Sequence, residues 1–127
     1  MENDPNSVPG MNNSPNENPL IDYAYLEEIT GGDEELKAEL ISMFESETVI
    51  QLSNIRINCK AADFDLLKQS IHKYRSSLFS VGLLNTAAKY KEIESALKRN
   101  ERIENLEKIL SDLELESGTA LQLLKNS

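Results

Sequence analysis

Apolar residues recur in steps of three and four along most of this chain, and the runs between turn residues are long enough for helices. The first run is Ile21-Asp22-Tyr23-Ala24-Tyr25-Leu26-Glu27-Glu28-Ile29, a short helix with Asp22 as its N-cap and Gly31-Gly32 as its stop. Asp33 caps a second helix, with Glu34 and Glu35 in the first turn, where the helix dipole favours acids. Its apolar stripe is Leu36, Leu40, Met43 and Phe44. The stripe blurs after Thr48, and the helix is expected to end near Ile57. A third helix runs from the cap Asp63 to about Ser80, with Gly82 as its stop. A fourth covers Leu84 to Arg99, its inner face marked by Leu83, Ala87, Tyr90, Ile93 and Leu97. The fifth is expected from Arg102 to Leu124. There Ile103, Leu106, Leu110, Leu113, Ser117, Ala120 and Leu124 form a bundle seam that Gly118 interrupts.

No segment alternates with the period of two that a strand requires. Four long helices joined by short turns pack as antiparallel neighbours. The expected fold is all-α: an antiparallel up-down-up-down four-helix bundle with a short extra N-terminal helix. Residues 1–19 are Asn, Pro, Ser and acids with little to bury. They read as a disordered polar tail ahead of one domain at 20–127.

Composition narrows the function by exclusion. The net charge of −9 disfavours nucleic acid and anionic membrane, both of which attract basic surfaces. No apolar run is long enough to span a bilayer, and the start of the chain lacks a signal-peptide pattern. Cys59 is the single cysteine, so no intrachain disulfide forms, and a cytoplasmic setting is expected. A monomer is expected because each helix shows one apolar stripe and the bundle consumes it.

The candidate chemistry rests on His72, the single histidine. Imidazole is nucleophilic near neutral pH, which suits it to accept and return a group. On a helical wheel Leu67, Ile71, Tyr74, Leu78 and Val81 face the core, and His72 faces outward. Lys68, Gln69, Arg75, Ser76 and Phe79 all fall within about 60° of it. Lys68 and Arg75, with Lys73 beside the histidine in the chain, would offset charge on a transferred phosphoryl group. Gln69, Ser76 and the exposed aromatic Phe79 would meet a docking partner. This helix face holds no Asp or Glu to polarise the imidazole and no serine paired with it for hydrolysis. A metal site would need further ligands, and none is expected. The same pattern also fits a solvated face in which lysine and arginine serve only solubility.

At these residues the chain resembles the histidine-containing phosphotransfer (HPt) domain family of multistep phosphorelays. The family pattern is a histidine, a Lys three residues on, Gly at four, Ser at five and Gly at ten. Here His72 is followed by Arg75, Ser76, Ser77 and Gly82. The flanks agree. Gly31-Gly32-Asp33-Glu34-Glu35-Leu36 with Met43-Phe44-Glu45 is similar to the opening of the family's second helix. Ala62-Asp63-Phe64-Asp65-Leu66-Leu67 is similar to the lead-in to its histidine helix, and Ile93-Glu94 to a Leu-Glu pair in the next. The likeness spans about residues 20–125.

The resemblance implies a phosphoryl carrier rather than an enzyme with turnover of its own. His72 Nε2 would take a phosphoryl group from a receiver-domain aspartate and pass it to another receiver. Response-regulator receivers and a hybrid sensor kinase are the implied partners. No cofactor is implied for this chain, since Mg²⁺ would sit on the receiver. No ATP-binding signature is present, so a free-standing shuttle is expected. Two departures stand beside the histidine. Arg75 replaces Lys, with the same charge but another shape, and Ser76 replaces Gly. They motivate an alternative, a binding-only adaptor that docks a receiver or kinase without carrying phosphate.

Overall fold

The computed structural model describes residues 20–126, so the expected tail at 1–19 lies outside the described residues. Among the described residues are five helices and no strand: α1 (Tyr23–Thr30), α2 (Glu34–Lys60), α3 (Phe64–Ser80), α4 (Leu84–Lys98) and α5 (Leu106–Lys125). The helix starts follow local chemistry. Asp22 Oδ1 accepts from the Tyr25 amide at 3.0 Å, Asp33 Oδ1 from Glu35 and Leu36, and Asp63 Oδ1 from Leu66. Each satisfies donors that the first helical turn leaves without a partner.

Helices α2 to α5 form a ring in which α2 packs on α3 and α5, and α4 packs on α3 and α5. Cross-links set the directions. Thr48 and Asn58 of α2 meet Tyr74 and Ser70 of α3, while Glu45 and Arg56 meet Lys125 and Glu114 of α5. Both pairings run antiparallel. The core is held by Phe44, Tyr74 and Tyr90, whose rings form one aromatic column. Phe44 stacks on Tyr74 with centroids 6.0 Å apart, and Tyr74 meets Tyr90 edge-on at 5.6 Å. The buried Tyr74 hydroxyl is 3.0 Å from Thr48 Oγ1.

Helix α1 closes one end by burying Ile21 and Leu26. The Asp22 amide donates to Gly82 O at 2.8 Å, which ties α1 to the α3–α4 turn. Gly82 has φ +82°, and a Cβ there would lie 2.9 Å from Asp22 O. The expected stop residue therefore also permits a close backbone approach.

Four expectations differ from the structure. Helix α2 continues to Lys60, and its buried line is Phe44, Thr48, Gln51, Leu52 and Ile55. Leu36 and Met43, expected in the stripe, are exposed. The blurring after Thr48 has this cause: two polar residues, Thr48 and Gln51, occupy core positions. Helix α5 begins at Leu106 rather than Arg102, because Asn100 and Asn105 both take left-handed φ of 57°. That conformation cannot continue a right-handed helix. The premise of one stripe per helix also fails, since α2 carries a second apolar row on its outer side.

Candidate functional site

The apolar stripe of α3 fixes its rotation. Leu67, Ile71, Tyr74 and Leu78 are fully buried, and that turns position 72 outward. The His72 side chain is 68 % exposed. Gln69, Lys73, Ser76 and Phe79 are at least partly exposed on the same helix, and Lys68 has its ammonium 3.8 Å from Asp65.

The wheel misses what stands behind the histidine. Glu94 of α4 is buried against α3, its side chain only 5 % exposed. Its Oε2 lies 2.9 Å from His72 Nδ1, and its Oε1 accepts from Arg75 Nη1 at 2.6 Å. The carboxylate that α3 lacks on its own face is thus supplied by the neighbouring helix. Burial pushes the Glu94 carboxyl up, but hydrogen bonds from Arg75 and His72 and their charges outweigh it. They hold it below the usual carboxylate range. An ionised Glu94 accepts and cannot donate, so Nδ1 carries the ring proton. Nε2 is the ring nitrogen that Glu94 does not hold, on a side chain that is mostly exposed.

Arg75 is expected to face a phosphoryl group or partner, but its side chain is only 18 % exposed and its guanidinium lies on Glu94. The wheel placed it at the edge of the His72 face. That edge borders α4, where a buried anion is the stronger attraction. A cation from outside α3 takes part instead. Lys98, one turn beyond Glu94, has Nζ 3.7 Å from Glu94 Oε2. Lys68, Gln69, His72, Lys73, Glu94 and Lys98 line one open depression of about 470 Å³ between α3 and α4. Glu94 had left a signal in the sequence, a charged residue set within the apolar spacing from Tyr90 to Leu97. Lys98 had left none beyond its distance of four from Glu94.

Chemically, the site is a solvent-facing imidazole whose inner nitrogen is fixed and whose outer nitrogen is free. Among the described residues no three His, Cys, Asp or Glu side chains gather in one place as a metal site would require.

No family model matches the chain, and no curated protein is similar to it at a significant level. Solved structures are similar. The HPT domain of a sensor hybrid histidine kinase from Shewanella superposes with a TM-score of 0.72 at 22 % identity, over 84 % of this chain and 92 % of that one. Histidine-containing phosphotransfer protein B (HptB) from Pseudomonas aeruginosa gives a TM-score of 0.76 at 20 % identity, over 85 % and 93 %. At these identities the likeness is one of fold: the described helices have the architecture of histidine-containing phosphotransfer domains.

Proposed function

We propose that this chain is a phosphoryl carrier in two-component signalling, with His72 Nε2 as the atom that bears the group. The observation that carries the reading is the His72–Glu94 pair: an exposed imidazole whose Nδ1–H is held by a buried, ionised carboxylate. The fold shared with phosphotransfer domains supports it.

The transfer balances without an outside base. The Nε2 lone pair attacks the phosphorus of a receiver's aspartyl phosphate in line, an N–P bond forms, and the P–O bond breaks. The electron pair leaves with the aspartate carboxylate. The ring gains positive charge while Nδ1 keeps its proton, and Glu94 is placed to stabilise that charge. Onward transfer to a second receiver reverses these steps.

Each neighbour then has a part. Lys68, Lys73 and Lys98 bring positive charge to the depression where the phosphoryl group would sit. Arg75 works through Glu94, keeping it ionised and in place. Gln69, Ser76 and Phe79 face the approaching receiver. Partners are receiver domains and a hybrid sensor kinase, with Mg²⁺ held by the receiver and no cofactor on this chain. A relay between receivers operates in the compartment that contains them, the cytoplasm. The chain turns over no substrate of its own.

The test mixes the protein with a phosphorylated receiver and Mg²⁺ and follows acid-labile label on this chain. His72→Gln should abolish the label with helicity unchanged; persistent labelling of that variant would sink the reading. Receiver binding with no transfer to the wild type would identify the binding-only adaptor instead.

A further inference from the structure

Helix α2 carries two apolar rows. One enters the core. The other, Leu36, Met43, Ile50 and Ile57, repeats every seven residues along the outer side of the helix. All four are exposed, Met43 by 65 % and Ile57 by 60 %. Scattered surface apolar residues are ordinary, but four in one line at heptad spacing form half of a coiled-coil seam. On a straight helix a seven-residue repeat drifts by about 20° per heptad, which a partner helix follows by a left-handed crossing.

We propose that this row is the self-association surface of the protein, and that its occupant is α2 of a second copy running antiparallel. Three features select this occupant. The first is shape. A two-fold axis level with residue 48 sets Met43 against Ser53 of the partner subunit and Ile50 against Ser46 of the partner subunit. Large side chains then meet small ones in every central layer. The second is charge. The same axis brings Glu39 within a turn of Lys60 of the partner subunit, twice by symmetry. Both are exposed and without a partner among the described residues. A parallel pairing would leave them about 31 Å apart. The third is reach. The seam from Leu36 to Lys60 is about 36 Å long, enough for a specific but small interface. It lies at the lower limit of stable ones, about 1,200 Å² in total, so the dimer is concentration-dependent. Two features oppose it. The end layers set Leu36 against Lys60 of the partner subunit and Ile57 against Glu39 of the partner subunit, where only the stems of the charged side chains can cover the apolar ones. Glu47 approaches its own copy at the axis, although its carboxylate is turned onto Gln51 Nε2 at 3.3 Å.

Sedimentation velocity over about 10 µM to 1 mM, a range suited to weak association, tests this. The wild type should pass from monomer to dimer. Ile50→Glu and Met43→Glu should each weaken the dimer at least about tenfold, a cost of the size expected for placing a charge in an apolar seam. Circular dichroism should stay unchanged, because both positions are exposed. Glu39→Lys and Lys60→Glu should each weaken it, and the double variant should recover it. A wild type that stays monomeric across the range overturns the proposal. So does a double variant no better than its parents, which would assign the row to a different partner.

Discussion

His72 Nδ1 lies 2.9 Å from Glu94 Oε2, a contact between two helices and across twenty-two positions of chain. The other oxygen of the same carboxylate accepts from Arg75 at 2.6 Å. One buried anion therefore orients the imidazole and is itself fixed by the guanidinium. The chemistry proposed for His72 depends on a residue that is not on its helix.

Glu94→Gln tests that dependence. A glutamine keeps one acceptor and turns an N–H₂ toward the second donor, so His72 and Arg75 cannot both be satisfied. The variant should lose about 2 kcal/mol of stability, the cost of leaving a largely buried donor unpaired. Urea unfolding measures this. Labelling of His72 by a phosphorylated receiver should slow about tenfold, equivalent to about 1.4 kcal/mol. Unchanged labelling would remove Glu94 from the mechanism.

The same pair sets a pH dependence. The folded-state pKa of Glu94 lies below its ordinary value of 4.5. Its contribution to stability is therefore present in full above that ordinary value and is lost as pH falls through the lowered one. The stability gap between wild type and Glu94→Gln should not close between neutral pH and about 5, and should shrink only at more acid pH. A gap that closes between about pH 7 and 5 would mean that Glu94 is not held ionised.

Two glycines with left-handed φ make a matched comparison. Gly82→Ala places a Cβ 2.9 Å from Asp22 O and strains the hydrogen bond that ties α1 to the bundle. Gly31 has φ +62°, and a methyl group there would meet nothing within 4 Å. Gly31→Ala should cost about 1 kcal/mol from backbone strain alone, and Gly82→Ala about 3 kcal/mol from strain plus the clash. Thermal melts would separate them, and equal costs would show that α1 can move away freely.

Phe79 is 39 % exposed on the turn of α3 beyond Ser76. Phe79→Ala should weaken receiver binding by several-fold, as expected for an aromatic contact residue, with little change in Tm. Titration calorimetry beside a melt checks both. A large fall in Tm would make Phe79 a packing residue instead.

Much of the fold was legible because its signals are local. An aspartate ahead of an apolar run caps a helix wherever that helix later packs, and Asp22, Asp33 and Asp63 all do so. The stripe on α3 is regular enough to set its rotation. Helix α2 was harder to read. Its core line includes Thr48, which is acceptable there because Tyr74 from another helix meets its hydroxyl. Polar residues in the buried line and apolar ones outside it gave two competing stripes. The start of α5 is not legible in the sequence because Arg102 to Asn105 contains good helix formers, and only the left-handed turn at Asn105 delays it.

By itself the sequence determined the helices, their caps and the outward direction of His72, since each depends on residues within a turn or two. The tertiary structure alone decided what His72 touches. Arg75 and His72 were expected to share an exposed face, and Glu94 belonged to a different helix. Packing α3 against α4 buried that carboxylate between them, and a buried charge requires partners far more strongly than an exposed one does. This requirement turned Arg75 inward and fixed the histidine ring.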